Sequence, residues 1–125
     1  MALSRRLGII SNRDHNSLKY RLAEQGINLD MFNHVHTPEK GLRKPDPRVF
    51  NHFWSVAGFD PKNTIFIGDS IEHDLMAAKS HNPPISFIAI TSGLHDMDDF
   101  IKAGVKGVHV FASVLDFFQA KYLLA

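Results

Sequence analysis

The 125-residue sequence has no cysteine, which excludes disulfide scaffolds, thiolate zinc sites and cysteine nucleophiles. It has no apolar run near the about 20 residues that a membrane helix needs. It has almost no charge bias, since fourteen Lys and Arg stand against thirteen Asp and Glu. No broad basic field therefore draws it to nucleic acid or to an anionic membrane, and neither is expected as a partner. No internal repeat, low-complexity tract or linker interrupts it, and it lacks both a Walker A sequence and a Gly-x-Gly-x-x-Gly after a strand. Residues 1–10 contain no acid at all.

What is present reads as ordinary globular protein: 44% hydrophobic and 22% charged residues, a balance that argues against disorder. A chain this long makes one domain and can bury roughly two-thirds of its unfolded surface. Residues 1–125 are therefore expected to form a single core domain. Met1 to Arg13 carries three arginines, two serines and no acid before its final residue's neighbour Asp14, a composition shared with organellar leaders. Leu7 to Ile10 reads instead as a buried strand, and the text ahead of it is too short for a leader. A cytoplasmic protein is the expectation.

Short apolar runs alternate with helical patterns. Strands are expected at 7–10, 32–36, 64–67, 85–90 and 108–111. Helices are expected at about 16–25, over Val49, Phe50, Phe53, Trp54 and Ala57, at 74–80, at 98–103 and at 113–124. Gly26, Gly58 and Gly104 are the natural stops. Asp46 with Pro47 reads as an N-cap and first helical position. The strand at 64–67 is apolar on both faces, as in a parallel sheet covered by helices. The alternation predicts an α/β fold, a Rossmann-like three-layer αβα sandwich with a mostly parallel sheet. Ligands then bind beyond the carboxyl ends of the strands, which selects Ser11, Asp69 and Thr91.

Three stretches carry candidate chemistry. In Gly68-Asp69-Ser70-Ile71-Glu72-His73-Asp74, two carboxylates lie on the turn from strand to helix and can face one small volume. Mg2+ is commonly held by one or two carboxylates, several waters and a substrate phosphate. The plain alternative is that Asp74 caps the next helix. Lys44, fixed by the following Pro-Asp-Pro, is a compact charge suited to a phosphate. Ser11 and Asn12 offer a hydroxyl and helix-opening amides to an anion. His34 and His36 share one strand face and could bind a metal, but no third ligand is evident and a solvated edge pair is the expected state. Phe53-Trp54 and Phe117-Phe118 are expected core, and Tyr122-Leu123-Leu124 is expected to dock on the sheet or on a partner.

The stretches LGIISN, GLRKPDPRVF and TIFIGDSIEHDLMAAKS occur in the order of motifs two, three and four of the haloacid dehalogenase-like (HAD) hydrolase superfamily, which the chain resembles over nearly its whole length. The phosphoglycolate-phosphatase-like branch is the nearest likeness. The resemblance implies an Mg2+-dependent phosphoric monoester phosphatase acting through an aspartyl-phosphate on a small phosphorylated metabolite. It implies that Ser11, with Asn12 beside it, binds the transferring phosphoryl group. It implies that Lys44 stabilises the phosphoryl charge, that Asp69 binds Mg2+, and that Asp74 is a second ligand or outer partner.

The family's first motif, an Asp-x-Asp whose first carboxylate is the nucleophile, has no counterpart before Ser11. Asp96-Met97-Asp98 is the single Asp-x-Asp in the chain, and it reads as helix N-terminal acids favoured by the dipole. The strand that carries the motif would lie between those at 7–10 and 64–67, so the sheet is expected to be incomplete there. Either these two strands close up, a second copy or partner chain fills the gap, or the chain is the C-terminal part of a longer protein. Little turnover is expected from the chain alone. The alternatives are a non-catalytic interaction module on the same fold and a phospho-receiver domain with Asp69 as acceptor.

Overall fold

A computed structural model describes residues 6–123. Five strands alternate with helices: β1 (Gly8–Ile10), α1 (His15–Glu24), β2 (His34–His36), α2 (Asn51–Ser55), β3 (Ile65–Gly68), α3 (Met76–Ser80), β4 (Ser86–Ile90), α4 (Met97–Lys102), β5 (Val110–Phe111) and α5 (Val114–Phe118). All strand pairing is parallel. The α/β order read from the hydrophobic pattern is thus present, with shorter elements at most positions.

The sheet is in two pieces. Among the described residues β1 pairs with β2 alone, and β3, β4 and β5 form a separate three-stranded sheet in that order. The register sets Ile9 opposite Val35, and Ile67 opposite Ile88. The two strands expected to flank the gap, β1 and β3, have not closed on one another.

Three apolar clusters cover the sheets. One joins Val49, Phe50, Ala77, Ala78 and Ile85. A second gathers Leu75, Ala89, Phe100, Val105 and Val110, and a third sets Ile88 and Ile90 against Phe117. Phe100 is fully buried, worth about 2–3 kcal/mol against exposure. Helices therefore lie on both faces, as the two-faced apolar strands required.

Several helices differ in detail from the sequence reading. Pro47–Phe50 forms a 3-10 turn before α2, with Asp46 as its N-cap accepting from the Arg48 N–H. Gly58 follows with φ 73°. The segment expected as a helix from 74 begins as a π turn at Ile71–Leu75, capped by Ser70. Asp74 is not its cap; it is buried inside the turn, because its carboxylate is drawn inward by two backbone amides and a lysine. The strand expected at 108–111 is reduced to β5, and a 3-10 turn over Gly107–His109 leaves Val108 exposed. Asp96 caps α4 in a reciprocal capping box with Asp99, as the dipole argument required. α5 runs on into a π turn, Gln119–Leu123. The expectations for residues 1–5 and 124–125 and for the side chains of Tyr122 and Leu123 lie outside the described residues.

The histidine pair is not a solvated edge. His36 is 2% exposed, because the chain beyond β2 folds back and sets the Leu42 carbonyl 2.8 Å from its Nε2. His34 packs edge-on against Phe53, with ring centres 4.6 Å apart. Of the two aromatic pairs expected in the core, Phe53 and Phe117 are buried, whereas Phe118 is partly exposed and Trp54 is half-buried. No helix among the described residues is long and apolar enough to cross a membrane.

Candidate active site

The polar residues selected from the sequence meet at one end of the strands. Just past β1, the Asn12 amide clasps the backbone of Lys44. Its Nδ2 donates to the Lys44 carbonyl at 3.0 Å, and its Oδ1 accepts the Lys44 N–H at 2.9 Å. The Lys44 side chain reaches Asp74, its Nζ donating to Oδ1 at 2.5 Å. The other Asp74 oxygen accepts the N–H groups of Asp69 and Ser70, each at 3.1 Å. A continuous run of contacts thus links the end of β1 to the end of β3, Asn12 to Lys44 to Asp74 to Asp69.

Each link follows from local structure. Gly68 lets Asp74 come close, because a Cβ there would stand 2.5 Å from the Asp74 Cβ. The π turn after Ser70 aims Asp74 back under the strand tip. The Lys44 ammonium also lies 5.9 Å from the centre of the Phe66 ring, a distance at which the ring face attracts a cation. The Lys44–Asp74 pair is largely buried, with side-chain exposures of 13% and 7%. Such a pair survives burial only when its remaining lone pairs are satisfied, and here the two amides satisfy them.

Asp69 differs from Asp74. It is exposed at the tip of β3, and its side chain has no hydrogen-bond partner among the described residues. Its Oδ2 lies against Gly93, where a Cβ would be 2.6 Å away. Gly93 was not singled out from the sequence, and nothing local marks it; only the approach of the loop after β4 gives it a role. Thr91, chosen as a residue past a strand end, continues the ladder by donating its N–H to the Phe111 carbonyl at 3.0 Å. Its neighbour Ser92 faces the cavity instead.

Ser11 adjoins this run without joining it. Its N–H donates to the His36 carbonyl, and its Oγ accepts the Arg13 N–H at 3.0 Å. The hydroxyl proton has no acceptor among the described residues. Asp96 takes no part, since its carboxylate accepts the Asp99 N–H. No group of three His, Cys, Asp or Glu side chains is placed to hold a metal among the described residues. Any metal here would rest on one or two carboxylates.

Lys44, Asp69 and Asp74 stand at the end of a cavity of about 720 Å³. Its two sides are the strands β1 and β3. Phe50 and Phe53 line one face, and Val114 and Phe117 the other. The sequence pattern of the haloacid dehalogenase-like hydrolase family matches residues 2–82, which contain every member of the Asn12-to-Asp69 run.

The chain belongs to the haloacid dehalogenase-like hydrolase family.

Two solved structures share the fold of this HAD-like chain. A Bacillus subtilis protein, YfnB, described as a HAD-hydrolase bound to magnesium, superposes with a TM-score of 0.70 at 18% identity over 92% of this chain. A Thermotoga maritima protein described as a beta-phosphoglucomutase superposes with a TM-score of 0.66 at 20% identity over 85% of this chain. In both cases the HAD-like chain spans 47%, about half, of the other protein's length. No curated protein matches the sequence.

Proposed function

We propose that this chain carries the phosphoryl-handling part of an Mg2+-dependent phosphoric monoester phosphatase, and that alone it does not turn substrate over. The observation that carries the reading is the exposed Asp69 carboxylate, held beside the Asn12–Lys44–Asp74 run at the end of the cavity. A hard cation suits this donor set, because carboxylate oxygens with water and phosphate around them are what Mg2+ takes. Asp69 would hold the ion. Asp74 has both oxygens engaged, so its role is to orient the strand tip and Lys44. When bound, Mg2+ would neutralise charge on the phosphoryl oxygens.

The chain's own residues then divide the work. Lys44 places a fixed positive charge toward the phosphoryl group, and its backbone is held rigid by Asn12. Asn12 therefore acts on the phosphate through Lys44, with its own amide already committed. The Ser11 hydroxyl, whose oxygen already accepts from Arg13, keeps its proton to donate to a phosphoryl oxygen. The family's reaction passes through an aspartyl-phosphate. Apart from Asp69 and Asp74, no carboxylate among the described residues stands at this end of the cavity, so the nucleophile must be supplied by another segment. The substrate is a small phosphorylated metabolite, the branch is the phosphoglycolate-phosphatase-like one, residues 1–125 act as a single core domain, and the setting is the cytoplasm.

Calorimetric titration with Mg2+ in the presence of inorganic phosphate tests this. Binding is expected to the native chain and to be lost in Asp69→Asn, with aryl phosphate hydrolysis at background in both. Equal Mg2+ binding by Asp69→Asn would overturn the assignment of the metal. Metal-dependent turnover by the chain alone would overturn the claim that its nucleophile lies elsewhere.

A further inference from the structure

Phosphoryl binding by Lys44 and Ser11 together needs a fixed distance between them. Yet the stretch that presents Lys44, residues 37–44, holds no strand and no α-helix, and its regular structure is a 3-10 turn at Pro38–Lys40. A segment of this kind opens locally at little cost unless contacts tie it down. Asn12 ties its far end, at Lys44. On its exposed side, Glu39 Oε1 accepts the His15 N–H at 2.7 Å. The inner tie is His36.

His36 closes β2, in register with Ile10 at the end of β1, and it bonds in two directions. Its backbone carbonyl accepts the Ser11 N–H at 3.0 Å. Its ring Nε2 lies 2.8 Å from the Leu42 carbonyl. A carbonyl oxygen only accepts, so this contact needs the proton on Nε2. No backbone N–H among the described residues donates to that carbonyl. The Leu42 side chain packs against the cluster that holds Val49 and Phe50. Leu42 is therefore held by its side chain on one side and by its carbonyl on the other, and Lys44 follows two residues later.

An imidazole is a poor filler for this space. It is 2% exposed, and its Nδ1 is buried with no hydrogen-bond partner among the described residues. A buried nitrogen without a partner is destabilising, and an aliphatic side chain would avoid that penalty. What an aliphatic side chain could not do is donate to Leu42. An unsatisfied buried group calls for a compensating role, and the bond to Leu42 supplies one.

We propose that His36 is a positioning residue for phosphoryl binding. Its ring, through Leu42, sets where Lys44 stands, and its backbone carbonyl sets where Ser11 stands. It acts without touching phosphate. This role presumes that Lys44 and Ser11 meet the phosphoryl group, as proposed above.

Three variants separate positioning from the filling of space. In His36→Gln the new Nε2 is as many bonds from Cβ as the imidazole Nε2. In His36→Asn the donor reaches only as far as Nδ1, and His36→Leu has no donor. In the Asn and Leu variants, amide exchange at Lys44 is expected to quicken about tenfold, with inorganic phosphate in the presence of Mg2+ bound about tenfold more weakly. Exchange at Ser11, which depends on the His36 backbone, is expected to stay as in the native chain. His36→Gln is expected to restore both Lys44 exchange and phosphate affinity to within about twofold. Long-range 1H–15N spectra of the native chain, which need no variant to fold, are expected to show the His36 proton on Nε2.

A proton on Nδ1 would overturn the proposal. So would equal behaviour of the Gln and Asn variants, or unchanged Lys44 exchange in a folded His36→Leu. Equal quickening at Ser11 and Lys44 would also overturn it, because it would mark a core residue whose loss loosens everything around it. A native chain that binds no phosphate would instead sink the phosphatase reading of the site, and the exchange pattern would still decide whether His36 places Lys44.

Discussion

The Asn12 side chain pairs with both backbone groups of Lys44, donating to its carbonyl at 3.0 Å and accepting its N–H at 2.9 Å. These residues are thirty-two apart in the chain, so the amide joins the end of β1 to the segment that presents the lysine. Asn12→Ala leaves both backbone groups without this partner in a half-buried place. A loss of about 1–3 kcal/mol is expected in urea denaturation. Asn12→Asp keeps the acceptor and loses the donor, and should fall between the two.

Asp69 and Asp74 should separate cleanly in stability measurements. Asp74→Ala strands a buried lysine and two amides, and about 3–5 kcal/mol is expected to be lost, the cost of breaking a buried pair from one side. Asp69→Asn alters an exposed side chain without a protein partner, so thermal unfolding should shift by no more than about 0.5 kcal/mol equivalent. If the two variants lost stability equally, the division into a framework acid and a ligand acid would be wrong.

Two glycines should also behave differently. At Gly68 a methyl would meet the Asp74 Cβ at 2.5 Å, an atom tied to the backbone, and the strain is expected to cost about 1–3 kcal/mol. At Gly93 it would meet the carboxylate end of Asp69 at 2.6 Å, and that end can swing away. Gly93→Ala should therefore fold nearly normally while weakening Mg2+ affinity, which calorimetry would read directly.

Acid should loosen α4. Asp99 is held below its ordinary value of 3.8, chiefly because it accepts the Asp96 backbone N–H, with His95 adding a smaller pull. Its folded value lies under its unfolded one, so its contribution is fully present above about 3.8 and is lost as pH falls through the lower folded value. Asp99→Ala should remove that part of the acid sensitivity in circular dichroism melts taken between neutral and strongly acid pH. A melt profile identical to the native chain's would refute it.

Much of this architecture was legible in the sequence because the signals are local. The run from Thr64 to Ile67 has to be a two-faced buried strand, and β3 is one. Asp46 before Pro47 has to cap a helical turn, and it does. The pairing of Asp69 with Asp74 was legible within one short stretch, whereas Lys44, from a separate segment, joined them only through a family resemblance. The errors lie where long-range contacts decide. The helix-cap alternative for Asp74 fails because the lysine thirty residues upstream draws it inward. His36 reads as solvated because no local pattern announces the Leu42 carbonyl above it. The room Gly93 leaves for Asp69 depends on two loops meeting, which no window of sequence contains.

The chain's only tryptophan sits in the wall of the cavity, stacked on Phe50 with ring centres 5.8 Å apart. Its indole N–H donates to His81 Nε2 at 3.0 Å, while His81 Nδ1 lies 2.7 Å from the Pro83 carbonyl. Trp54 is thus a fluorophore held by two contacts and half open to the cavity. Displacing water from around it by an apolar group would shift its emission to the blue. The protein carries its own unlabelled reporter of what occupies the space between its two half-sheets.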